Sequence, residues 1–256
     1  MFVAYLVLPT LLLAQSAPQD YSKAAQSFAK QDFPAAAAAL AQALRENPGY
    51  VPALMLQARL SMINGQMEEA HAALDHVLSQ EPNARDARFL LGFLFYLEND
   101  FERADTALAA ADQSDARVLL YRAMSAEGLN HTGAAHDFYR RAVEADGRGT
   151  DARLAYARLL RKEGDTAGAA RLIDEALALS PGARDVLYEK GLCLLDAGQY
   201  QEAVRFGERA LAASGVVPTE REIRYLLVRA WQKAGNPDRA AKERALFEKL
   251  PMPLVR

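Results

Sequence analysis

The sequence predicts an all-α fold, a right-handed α-solenoid of about seven stacked helix-turn-helix repeats. Three observations carry that reading. Alanines that follow a polar, turn-like segment recur at Ala36, Ala70, Ala104, Ala135, Ala169, Ala203 and Ala240, at intervals of 34, 34, 31, 34, 34 and 37 residues. Other columns keep step. Gly65, Gly164, Gly198 and Gly235 stand five before the marked alanine, and Phe33, Met67, Phe101 and Tyr200 three before. Ala43, Ala111, Ala142, Ala176 and Ala210 stand seven after, and Pro48, Pro82 and Pro181 twelve after. Between the columns, apolar residues follow helical spacing and no strand pattern occurs. Self-similarity at such a period marks stacked repeats. It displaces the two-domain prior that 256 residues would otherwise suggest.

The elements follow in chain order. Phe2 to Ala14 carries no charge and is thirteen residues long. That is short of the roughly 20 apolar residues a spanning helix needs, and it matches the apolar region of a secretory signal. Ala14-Gln15-Ser16 supplies small residues for cleavage before Ala17-Pro18. Residues 1–16 are therefore read as a signal peptide, which makes the protein exported, periplasmic or secreted, of bacterial type. An uncleaved N-terminal anchor is the alternative, since no Lys or Arg precedes the apolar run.

Residues 17–256 form the repeat array, in units 20–49, 50–84, 85–115, 116–149, 150–183, 184–219 and 220–250. Each unit holds two helical segments of about 13 residues. Asp32, Asp100 and Asp165 stand where a side-chain oxygen can cap the second helix. Pro34 falls in a first helical turn, where its missing N–H costs nothing. The closing prolines end the second helix. Ala58, Gly92, Ala123, Ala157 and Gly191 are small, so a neighbouring helix can approach there. The 31-residue interval is centred on 109–117 and predicts a second helix shortened by about one turn. The 37-residue interval contains SGVVPTE (214–220), a longer loop. In the last segment, 238–250, Ala240, Phe247 and Leu250 share one side. Arg239, Lys242, Glu243, Glu248 and Lys249 cover most of the rest, as a capping helix requires.

The units YEKGLCLLDAGQYQEAVRFGERAL (188–211) and ARLAYARLLRKEGDTAGAARLIDEALALSP (152–181) resemble tetratricopeptide repeats, and the resemblance extends over about residues 20–250. It implies that the first helix of each unit lines an inner groove that takes extended peptides or helices. The positions expected to face inward are three and two before the small residue and one, four and five after it. They include Met55, Leu56, Arg59, Met62 and Ile63, then Phe89, Leu90, Phe93, Tyr96 and Leu97, then Tyr121 and Met124. Farther on they include Ala155, Arg158, Arg161 and Lys162, then Tyr188, Glu189 and Asp196, then Tyr225, Leu226, Arg229 and Lys233. The partner-binding groove is read as Met55, Arg59, Met62, Phe89, Phe93, Tyr96, Tyr121, Met124, Arg158, Arg161, Lys162, Tyr188 and Arg229. It has an apolar zone of Met, Phe and Tyr and a basic zone of Arg and Lys. Such a pair of zones suits a peptide or helix with hydrophobic side chains and a carboxylate. The inner positions lack the Lys and Asn set with which some members of that family hold a partner's C-terminal carboxylate.

Composition narrows the function. Charged residues make up 25% and hydrophobic residues 51%, ordinary globular values that exclude a disordered chain. The net charge of −3 suits phosphate-backbone binding poorly. One cysteine rules out an intrachain disulfide framework. No GxSxG, Walker-type loop, Rossmann glycine pattern or HExxH is present. His71, His76, His131 and His136 fall in pairs five apart, where ligands on one helix face would be three or four apart, and are read as solvated surface residues. Cys193 and Trp231 are read as core-filling residues.

The expected function is a non-catalytic protein–protein interaction scaffold or adaptor of the cell envelope or secreted space. It has no catalytic residues, no metal and no cofactor. Its partner is a protein or peptide, with no nucleic acid and no stable membrane span, and self-association stays open. The alternatives are a helical-repeat RNA-binding protein or an accessory subunit of an envelope enzyme complex.

Overall fold

The structure, a computed structural model, describes residues 8–251, with side chains from Ala17 onward. The signal-peptide reading thus falls outside the described residues up to residue 7, and only the backbone is described from 8 to 16. Among the described residues there are fourteen α-helices and no strands, the fold class of an α-solenoid of helical repeats. None of these helices is long and apolar enough to cross a membrane. The chain divides into two compact units, Met1–Ala135 and His136–Arg256.

The first unit contains α1 (Leu8–Ala29), α2 (Phe33–Glu46), α3 (Val51–Ile63), α4 (Met67–Gln80), α5 (Arg85–Leu97), α6 (Phe101–Ala109) and α7 (Ala116–Gly128). Helix α8 (Thr132–Ala145) crosses the division. The second unit continues with α9 (Asp151–Glu163), α10 (Thr166–Leu179), α11 (Arg184–Asp196), α12 (Tyr200–Ala212), α13 (Glu220–Lys233) and α14 (Pro237–Glu248). Helices pair as hairpins, α1 with α2, α3 with α4, α5 with α6, α9 with α10, α11 with α12 and α13 with α14, and α2, α4, α6, α10 and α12 also lie on the first helix of the following pair. The first helices touch in succession, α1 to α3 to α5 to α7 in one unit and α9 to α11 to α13 in the other. That contact gives each unit a continuous face built from first helices.

The repeat columns have physical causes. All seven marked alanines are buried, because two helices approach closest there and a larger side chain would hold them apart. The column five residues earlier is left-handed in every repeat. Gly65, Gly164, Gly198 and Gly235 have φ between 73 and 87°, and Gln31, Asn99 and Asn130 have φ of 61, 61 and 58°. This residue ends the first helix and reverses the chain, a conformation that glycine adopts without steric cost. The three predicted caps form. Asp32, Asp100 and Asp165 accept from the N–H groups of Ala35, Arg103 and Gly168 at 3.1, 3.1 and 2.9 Å. The sequence reading missed Asp115 on α7, Asn236 on α14 and the reciprocal Thr219–Glu222 box on α13.

The shortened second helix is α6, nine residues where α2, α4, α8 and α10 have 14. The longer loop spans 213–219, and Arg184 fixes both its ends by donating to the carbonyls of Ala213 and Pro218. Cys193 is buried as expected, and burial pushes its thiol up to about 11. Trp231 fills space beside α12 and α13. The reading of all four histidines as solvated needs correction. His76 and His131 are exposed, but His71 and His136 are half-buried. Their Nε2 atoms lie 3.1 and 2.9 Å from the carboxylates of Glu98, just past the end of α5, and Glu163, at the end of α9, each one repeat farther along.

Candidate functional site

In the first unit the exposed side of α3, α5 and α7 carries the apolar zone. Phe89, Phe93 and Tyr96 project from α5 at i, i+4 and i+7, which places them along one helix face. Tyr121 of α7 closes the group. Its ring centre lies 6.1 Å from Phe89, 4.7 Å from Phe93 and 5.3 Å from Tyr96. These tilted arrangements are the favoured geometry for aromatic pairs. Phe101 of α6 continues the group, 5.9 Å from Tyr96. Arg117 lies 4.9 Å above the Phe89 ring, with Asp115 holding its guanidinium. Met55 and Met62 of α3 rest on the same buried cluster as Phe89, and Met124 of α7 is half-buried. Arg59 is exposed. At the end of this face Ile63 and Leu97 are 52% and 43% exposed, an unusual state for large aliphatic residues. Burial, then the charge of Glu127, raises the Tyr96 hydroxyl above its ordinary value and keeps it neutral.

The inward register needs one correction. In five of the six first helices the position two before the small residue points into the core; Tyr121 of α7 is the exception and stays half-buried. Leu56, Leu90, Ala155, Glu189 and Leu226 are all buried there. The first helices are crowded at that height, and in the second unit Leu154, three before Ala157, and Leu195, four after Gly191, are buried as well.

In the second unit this register changes the chemistry of the basic zone. Glu189 of α11 is only 3% exposed, and a buried carboxylate requires compensation. Two arginines of α9 supply it. Arg158 Nε donates to Glu189 Oε1 at 2.6 Å, and Arg161 donates to Glu189 Oε2 at 3.2 Å. Arg161 also donates to Asp196 at 2.9 Å. The expected cationic patch is therefore substantially neutralised from within, and its arginines are engaged before any ligand arrives. A continuous basic inner face, which an RNA-binding array would require, is not built from them. Lys162 is exposed at the end of α9. Tyr188 beside Glu189 is half-buried, and burial pushes its hydroxyl up to about 12. Arg229 is exposed on α13, 5.9 Å from the Tyr225 ring centre.

The geometry therefore presents an apolar, aromatic face in one unit and an ion-paired face in the other. Sequence reasoning missed Glu189 as a buried charge, although its column carries Leu56, Leu90 and Leu226 in other repeats.

Two family profiles described as tetratricopeptide repeat match, one at residues 154–218 and the other at 27–85 and 61–127. Together they cover well over half the chain. Cellulose synthase operon protein C of Pseudomonas fluorescens (strain SBW25) is 28% identical over 206 residues. The match takes in 75% of this chain, which spans only 15% of that protein's length. A tetratricopeptide repeat protein from Parabacteroides merdae has a similar fold, with a TM-score of 0.71 and 18% identity over 93% of this chain and 94% of that one. PilW, a type IV pilus biogenesis factor, superimposes with a TM-score of 0.74 and 18% identity over 83% of this chain and 99% of its own.

Proposed function

From the premise that this chain belongs to the tetratricopeptide repeat family, we propose that it is a non-catalytic interaction scaffold of the cell envelope or secreted space, holding a partner peptide or helix against the first helices of its first unit. The observation that carries this reading is the aromatic group of Phe89, Phe93, Tyr96 and Tyr121, bordered by the exposed Ile63 and Leu97. Aromatic and Met side chains supply large contact area with few rotors to order. A soluble surface seldom leaves such residues grouped without use.

Two further observations support the cellular setting. The N-terminal run Phe2–Ala14 has the length and composition of a signal's apolar region. The fold is shared with a type IV pilus biogenesis factor. Likeness to a cellulose synthase operon protein supports a narrower form of the same reading, an accessory subunit of an envelope enzyme complex.

Crosslinking and capture from fractionated native cells tests the reading, with the full chain compared against Ile63→Asp/Leu97→Asp. Both residues are exposed, so the variant keeps its core. A defined partner in the envelope or secreted fraction, lost from the variant, is the expected result. A partner retained by the variant would move the site off this face. A chain recovered only from the cytosol would overturn the envelope assignment.

A further inference from the structure

We propose that a depression at the edge of the first unit receives an apolar side chain flanked by Lys or Arg on a partner protein. The proposal rests on the scaffold reading and specifies the chemistry of one of its contacts. The depression has a volume of about 460 Å³. Its apolar floor is formed by Val51 and Met55 at the start of α3 and Val77 at the end of α4. Its rim carries the carboxylates of Glu81, Asp86 and Asp112 with one cation, Arg85.

One of the three rim carboxylates, Asp112, is there because this repeat is irregular. Eight residues after the marked alanine, five of the other six repeats place Leu44, Leu78, Val143, Leu177 and Leu211, apolar residues of the second helix, and the capping helix α14 places Glu248. Here that position is Asp112, because α6 has already ended at Ala109. The early turn carries a carboxylate to the edge where the regular helix would carry a leucine or valine. Ser114 then fixes it. Its backbone N–H and hydroxyl donate to Asp112 Oδ1 at 3.0 and 2.8 Å, and these bonds hold the carboxyl below its ordinary range. Asp112 is thus charged and oriented at neutral pH.

Arg85 reaches Asp112 at only 3.8 Å and its side chain is 70% exposed, so this pair is loose and weak. Asp115 close by is occupied by Arg117 at 2.6 Å. Three rim carboxylates against one loosely held cation repel an acidic segment. They favour a basic residue placed beside the side chain that enters the apolar floor. The chemistry is opposite in sign to the carboxylate ligand that the arginine-rich zone suggests from sequence.

A methyl NMR titration of the full chain, labelled at Met, Val and Ala, tests this with three synthetic peptides of equal length. Their cores are Lys-Leu-Arg, Glu-Leu-Glu and Lys-Ser-Arg. The first is expected to shift the methyls of Val51, Met55 and Val77, with affinity about tenfold or more above either control. Asp86→Asn/Asp112→Asn keeps the turn acceptors and is expected to lose about tenfold. Ala84→Phe, which fills the depression without touching the charges, is expected to abolish the shifts. Unchanged methyl spectra of the free variants establish that they fold. Equal or tighter binding of the Glu-Leu-Glu peptide overturns the proposal, as do shifts confined to methyls elsewhere. These outcomes are independent of the capture experiment, whose variant leaves the depression intact.

Discussion

At the scale of single residues, the left-handed column shows how one backbone demand is met by different side chains. Seven repeats need φ near +60 to +90° at the end of the first helix, and four use glycine. Gln31 is the costly substitute, because its Cβ crowds the backbone and it lacks the short polar side chain that helps Asn tolerate this region. Gln31 is also exposed, so nothing else constrains it. Gln31→Gly is therefore expected to raise stability by about 1 kcal/mol. Gly164→Ala, with no atom within 4 Å of the added Cβ, is expected to lower it by about the same amount through backbone strain alone. Urea denaturation with matched m-values checks both. Equal and opposite shifts would show that the column is a conformational requirement and not a contact.

The element scale is where sequence reading both succeeds and fails. Caps and helix lengths are legible because their partners lie within three residues, as with Asp100 and the N–H of Arg103. The truncated α6 is legible because a period makes a deletion visible. The arginines of α9 are not, because their partners stand 28 to 35 residues away on α11. Nothing in the local sequence shows that Arg158 and Arg161 are engaged; only burial of the column that holds Glu189 does so. The His71–Glu98 and His136–Glu163 contacts are hidden for the same reason.

The junctions around α6 also predict a pH dependence. Asp100 is held below its ordinary range by the backbone and side chain of Arg103, Asp112 by Ser114, and Asp115 by Arg117. A carboxyl with a depressed folded-state pKa adds stability above its unfolded value of 3.8 and loses it as pH falls through the folded value. Thermal midpoints should therefore be insensitive to these three groups at neutral pH and fall below about pH 4. The triple variant Asp100→Asn/Asp112→Asn/Asp115→Asn retains capping oxygens and should show a shallower acid limb. An unchanged acid limb would mean that other carboxylates govern it.

At the scale of the whole molecule, a stack of hairpins differs from a globule in how damage spreads. Within each unit the contacts among the described repeats run between neighbours in sequence, so stability there is approximately a sum of repeat and nearest-interface contributions. Gly92 in the middle of α5 offers a clean lesion within the first unit. A Cβ there would lie 2.5 Å from Leu108 Cγ and 3.1 Å from the carbonyl of Ala104, and Leu108 is fully buried with no room to yield. Gly92→Ala is expected to cost about 1–3 kcal/mol through overpacking. Hydrogen exchange should then rise most in α5 and α6, which form that contact. It should rise less in α4 and α7, which lie against them, and least in α1, two repeats away. A globular core would instead lose protection evenly, because its slowest amides all exchange through one global opening. Since α5 also carries Phe89, Phe93 and Tyr96, the gradient has a functional side: partner binding at the aromatic face should weaken in Gly92→Ala even while the exchange pattern of α1 stays near that of the unsubstituted chain.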